Sequence, residues 1–311
     1  MSYRKGYSIG KIGKSLLSEK EKLERILQAT GVTRSELARR LEVSYKTVYR
    51  WLDEGVQPHL AQSRDIDQLF KEYVDLRVVV LDLKRKIKNP IVLLKANPQI
   101  RKKFLLEMTY HSNAIEGSRM SLKETQLALE GKQVRGKEFF EVLEVVNHCN
   151  ALEFLLENIR AGFKIDQKYL LKLHEIVLYN FNNRLPGKYR TGQVNLTNTE
   201  KSLPSFQEIP LKIGKWLKGI NDCGKDPIDK IARDHYEFEA IHPFFDGNGR
   251  VGRLVMATQL LSQGFAPAIV RIEDRYQYYM ALSKADDGDF KNIVQMVCHS
   301  ILRGYEILMP A

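Results

Sequence analysis

The 311-residue chain has only three cysteines, Cys149, Cys223 and Cys298, an odd number at wide spacing that fits neither a disulfide framework nor a metal-ligand pattern. Its longest apolar run, Val78 to Leu81, stops at Asp82, far short of bilayer-spanning length, and residues 1–22 contain no apolar signal core. There is no internal repeat and no low-complexity tract. Strand-like alternation is scarce, confined to "GQVNLTN" at 192–198 and "PAIVRI" at 267–272. These absences exclude a disulfide-stapled secreted domain, a membrane-spanning protein, a repeat array and a sheet-dominated fold. What is left is a soluble, thiol-reduced protein, expected in the cytoplasm, with 43% hydrophobic residues to build at least one core.

The first third has too few acidic residues to balance its basic ones. Residues 1–103 hold 23 Lys+Arg against 12 Asp+Glu, whereas residues 104–311 hold 26 of each, so the whole net charge of +11 is placed N-terminally. A basic module on an electrically balanced one points to a polyanion partner for the first part alone, nucleic acid above all, with a merely solvated basic arm as the alternative. In "EKEKLERILQA" (19–29), Leu23, Ile26 and Leu27 share a helical face that Gly31 ends. "TRSELARRLEVSYKTVYRWLDEG" then reads as a Thr33-capped short helix, a turn through Val43 and a second helix from about Ser44. That second helix faces Val48, Trp51 and Leu52 inward. Its outer face carries Tyr45, Lys46, Thr47, Tyr49 and Arg50. This is the pattern of a helix-turn-helix, similar to the DNA-binding segments of bacterial regulators; it makes Tyr45, Lys46, Thr47 and Arg50 candidate DNA contacts, beside the alternative of a small helical interaction module with no DNA partner. The expected organisation is a helix-turn-helix module at 1–60, a helical connector at 61–103 and a larger domain at 104–311, all of it mainly α.

Within the larger domain the polar stretch "HPFFDGNGRVGR", 242–253, is too charged for a core segment. Gly247, Gly249 and Gly252 satisfy the G-x-G-x-x-G of dinucleotide sites, but that loop should follow a buried strand, and "DHYEFEAIHPFFD" is helical and then broken by Pro243 and Asp246. No Lys-Ser/Thr follows the glycines, so a Walker loop fails as well. The reading that remains is a loop feeding a helix that starts near Gly249, whose first amides around Gly247, Asn248 and Gly249 make an anion site. Arg250 and Arg253 add charge for phosphates. Asp246 is a carboxylate suited to Mg²⁺ beside polyphosphate, and His242 is the group able to accept a proton near neutral pH.

This stretch resembles the signature of Fic-domain proteins, H-P-F-x-D/E-G-N-G-R-x-x-R, matching at every fixed position. "SNAIEGSRMSLKET", "NHCNALEFL", "GKYRTGQV" and "YQYYMALSKADDGD" extend the resemblance loosely over 104–300. It implies an all-helical Fic domain with a small β-hairpin flap and transfer of AMP from the co-substrate ATP to a Ser, Thr or Tyr hydroxyl of a target protein, the chain itself being one candidate. By the same resemblance His242 is the base, Asp246 holds Mg²⁺, Gly247, Asn248 and Gly249 stabilise the transferred phosphate, and Arg250 and Arg253 bind the leaving phosphates. "SNAIEG", Ser112 to Gly117, resembles the family's inhibitory motif and implies that Glu116 occupies Arg253. The same glutamate could instead orient water for removal of AMP. "GQVNLTNTEKSLPS" is expected to form the flap, and Tyr276 and Tyr279 to line an adenine pocket. A regulator that senses nucleotide without turnover is the rival from another class.

Overall fold

The computed structural model describes residues 16–181, 184–194, 202–222 and 224–309. Helices begin where the sequence supplies caps: Ser18, Thr33, Ser44, Asn97, Ser121, Asp166 and Asp226 each accept a first-turn backbone N–H. Fifteen α-helices result among the described residues: α1 (Glu19–Thr30), α2 (Arg34–Arg40), α3 (Tyr45–Asp53), α4 (Leu60–Tyr73), α5 (Leu76–Lys86), α6 (Pro90–Ala96), α7 (Pro98–Ile115), α8 (Leu122–Leu129), α9 (Phe139–Asn158), α10 (Gln167–Val177), α11 (Ile209–Gly219), α12 (Pro227–Ile241), α13 (Asn248–Ser262), α14 (Arg275–Asp286) and α15 (Lys291–Leu308). None is long and apolar enough to cross a membrane. Two compact units divide between Val79 and Val80, inside α5. The stretch expected as a separate connector, 61–103, is therefore split between them.

In the first unit α1 packs on α4, and α2 on α3. Leu23, Ile26, Leu37, Val48, Trp51, Leu52, Ile66 and Phe70 form its core. Lys22 is buried too, and its ammonium is answered by Glu19 at 2.8 Å and Asp67 at 2.6 Å. The α2–α3 turn uses Glu42 in the left-handed region (φ +53°), and the Val43 N–H closes it on the Ala38 carbonyl. On α3, Tyr45, Lys46, Tyr49 and Arg50 are exposed. Thr47 is half-buried and its hydroxyl lies 2.8 Å from that of the cap residue Ser44, so it serves the helix start.

In the second unit α13 is the centre. Almost every residue from Asn248 to Leu261 is buried, and α7, α9, α10 and α12 surround it. A helix packed on all sides needs no polar face, and the polar side chains of its second half, Thr258 and Gln259, are buried against the partners Tyr169 and Asp234. The expected strand "PAIVRI" is not one: it is a buried extended segment ending in a 3₁₀ turn (Ile272–Asp274), and the Ile269 N–H bonds to the Ser300 carbonyl of α15. A β-carbon on Gly304 would land on the Pro267 carbonyl oxygen, so only glycine admits this backbone there. The expected hairpin also finds no strand in its described flanks, 192–194 and 202–205; its residues 195–201 lie outside the described residues, as does Cys223.

Candidate active site

α12 ends at Ile241 and is capped by His242 in the left-handed region, φ +49°, a conformation that costs a side-chain-bearing residue about 1–3 kcal/mol. The loop that follows is pinned by Phe244, which is fully buried and stacked on the His174 ring with centroids 3.7 Å apart. His174 Nδ1 accepts the Gly187 N–H, which leaves the proton on Nε2 to donate to the Asp246 carbonyl at 3.1 Å. Burial lowers the His174 pKa to about 4, so this neutral tautomer persists at physiological pH. Asn248 clamps the loop from the other side: its Oδ1 accepts the Phe244 N–H and its Nδ2 donates to the Phe244 carbonyl, both at 2.9 Å. Gly247 (φ +80°) then caps α13.

His242, Asp246, Gly247, Asn248, Gly249 and Arg253 line one cavity of about 640 Å³, with Glu116, Tyr276 and Tyr279 in its wall. The sequence-predicted residues thus converge, with three corrections in detail. Arg250 does not line the cavity. It is buried and held by Glu144 of α9 at 3.1 Å and Asp246 at 3.2 Å, so it orients Asp246 and is not placed to bind phosphate. The Asn248 carboxamide, expected on the transferred phosphate, is engaged with Phe244 through its oxygen and one N–H. The Gly247 N–H donates to Asp246 Oδ1 at 2.6 Å, which leaves Asn248 and Gly249, in the first turn of α13, as the open amides of the cradle.

Burial lowers the His242 pKa to about 4; the Glu239 carbonyl pushes back, and the Arg190 cation lowers it further. The imidazole is therefore neutral at pH 7, and its buried Nδ1 has no hydrogen-bond partner among the described residues. Arg253 is 1% exposed. Its Nε donates to Ser112 Oγ at 3.0 Å, and one terminal nitrogen donates to the Ser112 carbonyl at 2.9 Å and to Glu116 Oε1 at 2.7 Å. Glu116 is the C-cap of α7, and Gly117 (φ +103°) lets the chain turn away directly after it. No carbon stands between Glu116 and α13, because a β-carbon on Gly249 would collide with Glu116 Oε1.

Asp246 exposes 61% of its side chain, and among the described residues no group of three or more His, Cys, Asp or Glu side chains could hold an ion. One accessible carboxylate fits Mg²⁺, which takes one or two protein carboxylates and completes its shell with phosphate oxygens and water. It does not fit a metal held by protein ligands alone.

Sequence reasoning missed several residues. Arg190 reaches the His242 carbonyl (2.8 Å), Glu144 grips Arg250, and Glu239, half-buried three residues before His242 with its Oε1 enclosed, has its pKa raised to about 8 by desolvation. Tyr278, hydrogen-bonded to His235 at 2.7 Å, sits between Tyr276 and Tyr279.

Residues 164–260 match the Fic/DOC family, a span that includes the 242–253 loop but not Glu116. The chain is 35% identical over 191 residues to a protein adenylyltransferase Fic of Nematostella vectensis, which covers 60% of this chain and 45% of that protein. It spans less than half the length of that relative. Among solved structures, Fic-1 of Caenorhabditis elegans superposes with a TM-score of 0.64 at 26% identity, covering 86% of this chain and 82% of the other. A Fic-domain-containing signalling protein of Bacteroides thetaiotaomicron, at 23% identity and TM-score 0.65, covers 74% of this chain and 94% of the other and shares the fold.

Proposed function

We propose that this chain, which carries a Fic/DOC family domain, transfers AMP from ATP to a side-chain hydroxyl of a protein and is held off by its own Glu116. The observation that carries the reading is a neutral His242, its Nδ1 without a hydrogen-bond partner among the described residues, in the same cavity as the open first turn of α13, Asp246 and Arg253. His242 takes the proton of the incoming hydroxyl; its oxygen forms a bond to the α-phosphorus while the bond to the bridging oxygen breaks and pyrophosphate leaves. The Asn248 and Gly249 amides face the charge that gathers on the transferred phosphate, and such donors are worth about 3 kcal/mol each in related chemistry. Mg²⁺, when bound, neutralises phosphate charge, and Asp246 is the residue to hold it. Arg253 is the cation for the terminal phosphate. Glu116 neutralises it and places a carboxylate where that phosphate would lie.

Incubating the wild type and Glu116→Gly with ATP labelled at the α-phosphate tests this. The variant is expected to label itself or added protein well above the wild type, and His242→Ala in that background to lose the label. No label from any of the three sinks the transferase reading.

A second activity belongs to the first unit. Tyr45, Lys46, Tyr49 and Arg50 form an exposed basic and aromatic face on α3, the helix after a tight turn, in the part of the chain that holds the charge surplus. We propose that this unit is a helix-turn-helix that docks on DNA through that face. Reversing charge at Lys46 and Arg50 is expected to weaken binding to duplex DNA and flatten its salt dependence by about one to two units of log–log slope. Binding by the wild type that is absent, or insensitive to salt, argues for a protein-docking module.

A further inference from the structure

Arg190 is 2% exposed, and among the described residues its guanidinium meets only carbonyl oxygens. Nε donates to His242 at 2.8 Å, one terminal nitrogen to Gly192 at 3.0 Å and the other to Pro204 at 2.6 Å. Its own backbone N–H donates to Pro243 at 2.9 Å. A buried cation answered by no carboxylate among the described residues is expensive to keep, so three carbonyls from three separate stretches of chain are a costly arrangement for packing alone. A lysine could not reproduce it. Only the planar fork of arginine can address three acceptors in fixed directions.

What those acceptors have in common is the cavity. His242 is its base, held at a positive φ that an unrestrained histidine would leave. Val194, Ser202 and Leu203, immediately beside Gly192 and Pro204, form part of its wall. Gly192 also lies against Phe245 of the 242–253 loop, whose ring would stand 3.4 Å from a β-carbon there.

We propose that Arg190 is a positioning residue: it locks the His242 backbone in its left-handed conformation and holds the 192–194 and 202–204 wall in register with it, so that the target hydroxyl meets the base at one place. The inference rests on the transferase reading for its kinetic consequence, but not for its structural one. Arg190 also adds positive charge near His242, whose other charged neighbours are Glu116 and Asp246. Lost fork geometry and lost charge therefore separate.

The test uses full-length protein in the Glu116→Gly background, with Arg190→Lys and Arg190→Gln. Both are expected to lower kcat by about 100-fold, the scale of a misplacement near 1 Å, while KM for ATP changes by less than about threefold. In an NMR titration of the imidazoles, His242 is expected to stay near its low value in Arg190→Lys and to move toward the ordinary range in Arg190→Gln. A Lys variant with full kcat, or a loss confined to KM for ATP, overturns the proposal; so does a His242 titration that the Gln variant leaves unmoved. If the Gln variant does not fold, kcat of the Lys variant decides alone. If the Glu116→Gly parent transfers no label, the transferase reading has failed. The proposal is then judged on the titration and on hydrogen exchange of the 192–194 and 202–204 amides, which should quicken in both variants.

Discussion

Gly249 shows how much a single absent carbon controls. A β-carbon there would overlap Glu116 Oε1 and stand 3.1 Å from the Arg253 guanidinium. The carboxylate is the far end of a flexible side chain, so it would be the atom to yield, and Arg253 would lose its partner. Gly249→Ala is therefore expected to raise α-phosphate labelling in the wild type by up to about tenfold, equivalent to about 1.4 kcal/mol of weakened pairing. In the Glu116→Gly background the same change should raise nothing, because no carboxylate remains to displace. An equal gain in both backgrounds would show that Gly249 acts on the phosphate cradle and not on inhibition. At this scale the identities in 242–253 were legible from the sequence, and so was the pairing of Glu116 with Arg253. The direction of Arg250 and the engagement of Asn248 were not. Residues three apart on a helix point about 60° apart, and the partners that separate Arg250 from Arg253, Glu144 on α9 and Ser112 with Glu116 on α7, are more than 100 residues away in the chain.

At the level of elements, the sequence was clearest where a helix start is signalled locally. Thr33 and Ser44 were legible because each cap is decided by its own few neighbours. "PAIVRI" misled because its β-branched residues report burial and not pairing: the segment is enclosed on all sides, and Ser300 of α15 takes the Ile269 N–H that a neighbouring strand would have taken. The His242 loop was legible as a helix–loop–helix, yet what fixes it was not. The stacking of Phe244 on His174 and the Arg190 grip come from chain segments with no local signal. Such tertiary partners give a loop precision, and periodicity is silent about them.

The molecule as a whole buries its titratable groups around Arg253, and this gives its stability a pH optimum. His148 and His235 are driven to about 3, and His174 and His242 to about 4, all by burial. His148 Nε2 has no hydrogen-bond partner among the described residues that could reward a charge. The unfolded chain takes up these protons below about 6.5 and the folded one does not, so the stability they permit is present above 6.5 and is lost as pH falls toward 4. Glu239 works in the opposite direction. Burial raises its pKa to about 8, so the folded state keeps a proton that the unfolded state releases above about 4.5. Its contribution is complete below 4.5 and declines by about 1.4 kcal/mol per pH unit as pH rises toward 8. Glu239→Gln, which stays neutral at every pH, should therefore match the wild type near pH 5 and exceed it progressively up to pH 8. Urea unfolding at pH 5, 6.5 and 8 measures this for the second unit through Trp216, with Trp51 replaced by Phe to silence the first. Parallel stability profiles for the two proteins would mean that Glu239 is ionised in the folded state and answered by Arg253. In that case Arg253 would keep a carboxylate partner after Glu116 leaves, and removing Glu116 alone would free it less than Gly249 and the cavity geometry indicate.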